Sequence, residues 1–156
     1  MREIARRFVV LHAFLLWQGG FVVYGGVVVP DGAEQLGSDT LQGFITQQVT
    51  VWLNAFGVLW CAALAWDCHA VRGDALRGWA VALCAALLVV LLAVHPHMDA
   101  LLDEESQAVL DRTLFRRLHQ VYLGVSTLHW LLAMLVAWRT LRAWRRLDST
   151  PPQKVA

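Results

Sequence analysis

The sequence predicts an all-α membrane protein in which four long helices cross a bilayer as one bundle. The 156-residue chain is 58% hydrophobic and only 16% charged, whereas soluble domains carry about 25% charged residues. The apolar residues cluster in four uncharged runs, at residues 8–30, 40–66, 78–98 and 118–138. At about 1.5 Å per residue, each run is long enough to span a hydrocarbon core of about 30 Å.

The runs and their short connections predict one four-helix transmembrane domain, residues 8–144, followed by a tail at residues 145–156. A formal net charge of +1 gives no basic field of the kind that binds nucleic acid. The lipid bilayer is the first expected partner, and another membrane protein or a second copy of the chain is the next. Three cysteines without metal-finger spacing predict buried thiols rather than a disulfide.

The first run follows three arginines and is expected to stop near Pro30. Its glycines predict close approach of a neighbouring helix: they are Gly19, Gly20, Gly25 and Gly26.

The second run is the most polar, and Asp39 or Thr40 suits its N-cap. Its small and polar residues recur at steps of three and four, which places them on one inward face; these are Gly43, Gln47, Thr50, Asn54, Gly57 and Cys61. Beyond the run, Gly73 predicts a helix stop and Asp74 the N-cap of the next helix.

The third run, rich in Ala, Leu and Val, is the most lipid-like. Proline disfavours helical geometry in the residue before it, so Pro96 predicts an end at His95. The charged connection that follows carries apolar residues at Met98, Leu101 and Leu110, among others. That pattern allows a short interfacial helix between the third and fourth membrane helices.

The fourth run carries a polar stripe of four residues on one helical face: His119, Tyr122, Ser126 and His129. Lipid cannot satisfy such side chains, so they are expected to face protein, a cofactor or water.

Lys and Arg divide ten to three between the two sides of the predicted bundle, with the majority beside both termini. The excess of positive charge predicts that both termini are cytoplasmic. Trp66, Trp79 and Trp138 fall at the same boundary, where an aromatic belt is expected.

One polar group is expected at the other boundary and suits a metal ion: His95, His97, Asp99, Asp103 and His119. Imidazoles and carboxylates bind zinc or oxidised copper, and the thioether of Met98 would favour reduced copper. The alternative is that these histidines only form hydrogen bonds at the interface, because their spacing matches no strong metal signature.

A second polar group is expected near mid-membrane and includes Gln18, Asn54 and His129, with His12 nearer the cytoplasmic side. Two histidines from different helices, His12 and His129, could ligate haem iron. The simpler interpretation is a hydrogen-bonded contact that fixes helix packing. Asp67, Cys68 and His69 form a smaller group, for which a histidine at a helix C-terminus is sufficient explanation.

The stretch at residues 11–30 has His12 followed by Trp17, a glycine pair and an aromatic residue. It resembles the first helix of the copper-resistance protein D-like membrane superfamily. Phe115, Leu118 and His119 match a pattern in the closing helix of its four-helix TMEM205-like domain branch.

That resemblance implies copper handling and a bacterial inner-membrane location. A more distant branch is the HemJ-type protoporphyrinogen oxidase, thought to use a histidine and a lysine around haem. By position His12 would be that histidine, whereas Lys154, in the tail, is the only lysine of this chain.

Two functions therefore remain open. The first is a membrane binder of metal (copper-related) or haem. The second is a non-catalytic accessory subunit whose polar residues serve helix packing. No glycine loop or nucleophile elbow favours an enzyme.

Overall fold

A computed structural model describes residues 1–103 and 105–149, apart from the side chain of residue 39. Its helices are α1 (Arg2–Val23), α2 (Val29–Leu36), α3 (Asp39–Ala70), α4 (Ala75–Asp99) and α5 (Arg112–Asp148). A π-helical turn, Tyr24–Val28, joins α1 and α2 into one rod. This rod, α3, α4 and α5 are each long and apolar enough to cross a membrane. The predicted all-α four-helix bundle is confirmed.

The first rod continues past Pro30, so the expected stop there is wrong. Proline has no N–H and cannot complete the usual helical ladder. The π turn accommodates it by shifting the ladder by one residue: the Val29 N–H donates to Tyr24 O. Gln42 of α3 donates to Val28 O at 3.1 Å and thereby binds the turn to the next helix. The rod ends only at Gly37, whose φ is +61°.

The turn between α3 and α4 contains Gly73 and has the predicted cap at Asp74, although α3 already ends at Ala70 with Val71 as its C-cap. Gly73 has φ +106°, a left-handed conformation that glycine adopts without strain. Asp74 then caps α4, accepting a hydrogen bond from the Arg77 N–H at 3.0 Å. The cap of α3 is Ser38, whose Oγ accepts from the Leu41 N–H at 3.3 Å. It lies one residue before the nearer expected position, Asp39.

Helix α4 passes through Pro96 and ends at Asp99, so its expected end at His95 is wrong. Pro96 has no N–H and so removes one ladder hydrogen bond, yet the helix continues to Asp99. His95 Nδ1 lies 2.8 Å from Asp99 Oδ2 and bridges the turn that contains the proline. Ala100 N–H donates to Pro96 O at 3.0 Å and completes the helix end.

The connection between α4 and α5 is a small β-hairpin, not the interfacial helix that the sequence allowed. Strands β1 (Leu102–Asp103) and β2 (Ala108–Val109) are antiparallel, with Leu102 opposite Val109. Asp103 accepts hydrogen bonds from Ser106 Oγ and, at 3.2 Å, from the Glu105 N–H. Such local bonds from an aspartate favour a turn over a helix.

Helix α3 packs on both α1 and α4, and α5 packs on α4. Between them lies a core centred on Trp17, Trp60, Cys84 and His129. Outside it, only 22–33% of the residues in the apolar windows are buried, and large aliphatic side chains cover the outer surface. A surface of this kind is stable only against lipid tails. The chain is therefore an integral, multi-pass membrane protein.

The start of α1 and the end of α5 lie at one end of the bundle, because Arg7 of α1 binds Asp148 of α5 through two hydrogen bonds of 2.8 and 2.9 Å. We call this end, which also includes the α3–α4 turn, the terminal end. The opposite end, which carries β1 and β2, is the hairpin end.

Candidate functional site

The most extensive polar site surrounds Asp67, near the last turn of α3 at the terminal end. Its Oδ1 accepts from Arg6 Nε of α1 at 2.8 Å, and its Oδ2 accepts from Arg77 Nη1 of α4 at 2.9 Å. Trp144 Nε1 of α5 lies 3.1 Å from both carboxylate oxygens. One carboxylate thus contacts all three other membrane helices. We call these four residues the Asp67 cluster.

The Asp67 cluster is closed to water at its centre. The side chains of Asp67 and Arg77 are 0% and 1% exposed. Arg77 Nη2 also donates to Val71 O at 2.9 Å, so a second nitrogen of the guanidinium has an acceptor. A buried charge without a partner is very costly, and here the Asp67 carboxylate is paired with the guanidinium groups of both Arg6 and Arg77. The arrangement fixes the relative positions of the helices and leaves no carboxylate oxygen without a donor.

Sequence reasoning missed this cluster. The sequence analysis grouped Asp67 with its neighbours Cys68 and His69. It counted Arg77 only among the basic residues that predict the orientation of the bundle. The burial of this helical face was not visible in the sequence: Asp67 shares it with Trp60 and Leu64, which are fully buried in the structure. An acid on the inward face of a membrane helix needs a basic partner on another helix.

A second polar network lies in the hairpin half of the bundle. Tyr122 Oη of α5 donates to Asn54 Oδ1 of α3 at 3.0 Å. The ring of buried His95 packs edge-on against Tyr122, with centroids 6.0 Å apart, while its Nδ1 contacts Asp99. Polar side chains of α3, α4 and α5 are therefore linked here. The expected inward face of α3 is confirmed, since its six residues are buried or half-buried.

The expected metal ligands at the hairpin end are only partly brought together. His95 and Asp99 are in contact. His97 and His119 are exposed, and the His119 ring stacks on Phe115. Asp103 lies in the hairpin, where the hydroxyl of Ser106 holds the pKa of its carboxyl below the usual range. Within residues 1–103 and 105–149, no three His, Cys, Asp or Glu side chains are grouped so that they could hold a metal ion.

The mid-membrane residues lie in different environments. His129 is fully buried beside Trp17, with ring centroids 4.6 Å apart, and Trp17 stacks on Trp60 at 5.2 Å. His12 lies on the exposed face of α1, and its Nδ1 donates to Phe8 O at 3.0 Å. The two histidines that were considered for haem ligation therefore do not face one another.

Gln18, like His129, is buried, and neither side chain has a hydrogen-bond partner in the described part of the chain. Of the four glycines in the first run, Gly20 alone is closely approached: a methyl group added there would lie 3.1 Å from Leu53 Cδ2. The other three face open space. Close glycine packing occurs instead at Gly57 of α3, against Trp17 and Leu88.

The polar stripe of α5 divides along its length. Ser126 and His129 are buried, and Tyr122 is bound to Asn54. His119, the outermost member, is exposed. The stripe thus faces protein over its inner three positions, as lipid exclusion predicts.

Asp74 forms a further contact at the terminal end. Its two carboxylate oxygens accept from Arg139 Nη2 of α5 at 2.9 and 3.1 Å. This contact holds the pKa of Asp74 below its usual range. The turn between α3 and α4 is thereby attached to α5.

In these contacts, polar side chains of one helix bind polar side chains of another helix. Comparisons of the chain with models of protein families, with curated proteins and with solved structures give no match.

Proposed function

We propose that this protein is a non-catalytic membrane subunit, whose polar side chains serve to hold four helices in one fixed arrangement. The observation that carries the proposal is the Asp67 cluster. A single buried carboxylate receives donors from α1, α4 and α5. The hydrogen bond from Tyr122 to Asn54, 3.0 Å long, likewise joins α5 to α3. Side chains occupied in this way are bound to one another rather than offered to a substrate.

The proposal is tested by separating folding from ligand content. Full-length protein purified in mild detergent is assayed for metal by mass spectrometry and for haem by its Soret absorbance. The proposal expects metal and haem well below one equivalent, and a melting curve that a chelator does not change. Stoichiometric metal or a Soret band would overturn it.

A second candidate function is a membrane metal binder with His95 at its centre, and one observation favours it. Asp99 Oδ2 lies 2.8 Å from His95 Nδ1. A carboxylate behind an imidazole is the usual support of a metal-bound histidine, because it orients the ring and leaves Nε2 for the metal. His97, Asp103 and His119 would supply the remaining ligands. The resemblance to the TMEM205-like branch also favours a copper-related role.

The metal candidate is tested by titrating the purified protein with Cu(I) and Zn(II) and comparing His95→Ala with His69→Ala. His69 is an exposed histidine at the terminal end, so its loss controls for general imidazole binding. Metal binding that disappears only in His95→Ala would support this function. Equal binding by both variants would exclude His95 as the ligand.

We also propose that both termini are cytoplasmic. The contact between Arg7 and Asp148 brings the start of α1 and the end of α5 to one end of the bundle, and the segments expected on that side hold ten of the thirteen Lys and Arg residues of the sequence. Reporter fusions that are active only in the cytoplasm should be active at either terminus. Activity of a periplasmic reporter there would reverse the orientation.

A further inference from the structure

A basic groove of about 380 Å³ lies at the terminal end of α5. Three arginines and a serine line it: Arg142, Arg145, Arg146 and Ser149. The groove is open to the surface, and Ser149 Oγ donates to Arg145 O at 2.8 Å at its far edge. We call it the α5 groove. None of its residues belongs to the Asp67 cluster or to the network at the hairpin end.

The acidic side chains nearby are already paired with other arginines. Asp67 binds Arg6 and Arg77, and Asp74 binds Arg139. Asp148 binds Arg7. In the part of the chain that the structure describes, the guanidinium groups of Arg142 and Arg145 have no carboxylate partner. Arg142 and Arg145 therefore bring positive charge to the α5 groove that no carboxylate of the described residues neutralises.

The groove continues a strip of lipid-facing residues. Leu131, Leu135 and Trp138 are 56%, 49% and 60% exposed. Their spacing, continued by Arg142 and Arg145, keeps to one face of the helix. Tryptophan prefers the membrane–water boundary. With a rise of about 1.5 Å per residue, Arg142 and Arg145 lie about 6 and 10 Å beyond Trp138, in the layer of lipid headgroups.

We infer that the α5 groove binds the phosphate of an anionic phospholipid. Guanidinium groups bind phosphate oxygens in a bidentate manner, which gives geometry as well as charge. The strip from Leu131 to Trp138 accommodates an acyl chain of the same molecule. A free phosphate ion would use the arginines but not the strip, so the continuity of the two surfaces favours a lipid.

The test measures lipid bound to the intact protein by native mass spectrometry, with phosphatidylglycerol and phosphatidylcholine as probes. The wild-type chain should retain phosphatidylglycerol at least tenfold more strongly. Each arginine near a membrane surface contributes about fivefold to anionic lipid binding. The triple variant Arg142→Gln, Arg145→Gln, Arg146→Gln should therefore lose the preference.

The matched control is Arg112→Gln, Arg116→Gln, Arg117→Gln, which removes the same charge from exposed positions at the hairpin end. It should keep the preference for phosphatidylglycerol, since the three arginines of the α5 groove are intact. Circular dichroism checks that both variants are helical. The single variant Arg142→Gln, expected to lose about fivefold, serves if the triple variant does not fold.

Two results would overturn the inference. One is an equal loss in the groove variant and the control, which would mean that only total charge matters. The other is a site that takes short-chain phosphatidylglycerol or inorganic phosphate as strongly as the long-chain lipid. That outcome would assign the groove to a soluble anion.

Discussion

Asp67 of α3 and Arg77 of α4 form an ion pair, 2.9 Å from oxygen to nitrogen, between side chains that are 0% and 1% exposed. The short turn of residues 71–74 joins the two helices. Asp67 also accepts hydrogen bonds from Arg6 of α1 and Trp144 of α5. It is the point at which all four membrane spans meet. The stability of the bundle is expected to depend on it more than on any surface contact.

Replacing Asp67 with Asn keeps the side-chain shape but removes the charge. Arg6 and Arg77 then lose their counterion, and breaking a buried pair on one side costs about 3 kcal/mol or more. The melting temperature in detergent should fall sharply. Asp148→Asn is the matched control, because its carboxylate is 60% exposed and pairs with Arg7 at the surface. Exposed pairs contribute little, and equal effects of the two variants would contradict the structure.

Stability should depend on pH through Asp74. The hydrogen bond from Arg139 lowers the pKa of this carboxyl in the folded protein, so the folded state favours the ionised form. The stabilisation is complete above the ordinary aspartate pKa of about 3.9 and is lost as the pH falls through the lower folded value. Arg139→Gln should be less stable than the wild type at neutral pH, and the difference should shrink below about pH 4.

Unfolding temperatures measured from pH 7 down to pH 2.5 would check this behaviour. Arg142→Gln removes a nearby charge that has no carboxylate partner among the described residues, and it should show no such convergence. A difference between wild type and Arg139→Gln that stays constant with pH would mean that Asp74 is not the responsible group.

The fold was largely predictable because it follows from the sequence of each helix alone. Uncharged length determines the four spans, and the positive φ of Gly73 and the cap at Asp74 are local properties. The inward face of α3 follows from helical period and the inability of lipid to satisfy Asn54. Each of these features needs no knowledge of a neighbouring helix.

The features that were missed depend on contacts between residues or on local register. Pro96 stays helical where His95 and Asp99 bridge its turn, and Pro30 does so through a π turn. Where the sequence allowed an interfacial helix, the structure has a hairpin, which Asp103 stabilises. For the site, the sequence predicted that His129 faces inward, but it could not tell that His12 faces outward or that Asp67 meets Arg77.

The bond between Tyr122 and Asn54 should give a measurable coupling. Side-chain hydrogen bonds between membrane helices contribute about 0.6 kcal/mol on average and up to about 1.7 kcal/mol. A double-mutant cycle with Tyr122→Phe and Asn54→Leu should yield a value in that range. Thr127 offers a control: its hydroxyl donates to Leu123 O within α5, so Thr127→Val should not couple to Asn54→Leu.

Gly57 should not tolerate a larger residue. A methyl group there would lie 3.1 Å from Trp17 Nε1 and 3.2 Å from Leu88 Cδ1. Gly57→Val forces α1 and α4 away from α3, at an expected cost of about 1–3 kcal/mol. Gly124 of α5 has no atom within 4 Å of the same position, so Gly124→Val should leave the melting temperature nearly unchanged. Equal losses would mean that helix propensity, not packing, is responsible.

The most direct measurement of the central claim is a double-mutant cycle between Asp67→Asn and Arg77→Gln, in one detergent and at one pH. If the buried pair holds the helices together, Asp67→Asn leaves Arg77 without its counterion, and Arg77→Gln leaves Asp67 with Arg6 as its remaining arginine partner. The double variant should then be about as stable as the less stable of the two single variants. The coupling energy should be about 2 kcal/mol or more. Strictly additive losses would show that the two residues act independently and would contradict the account.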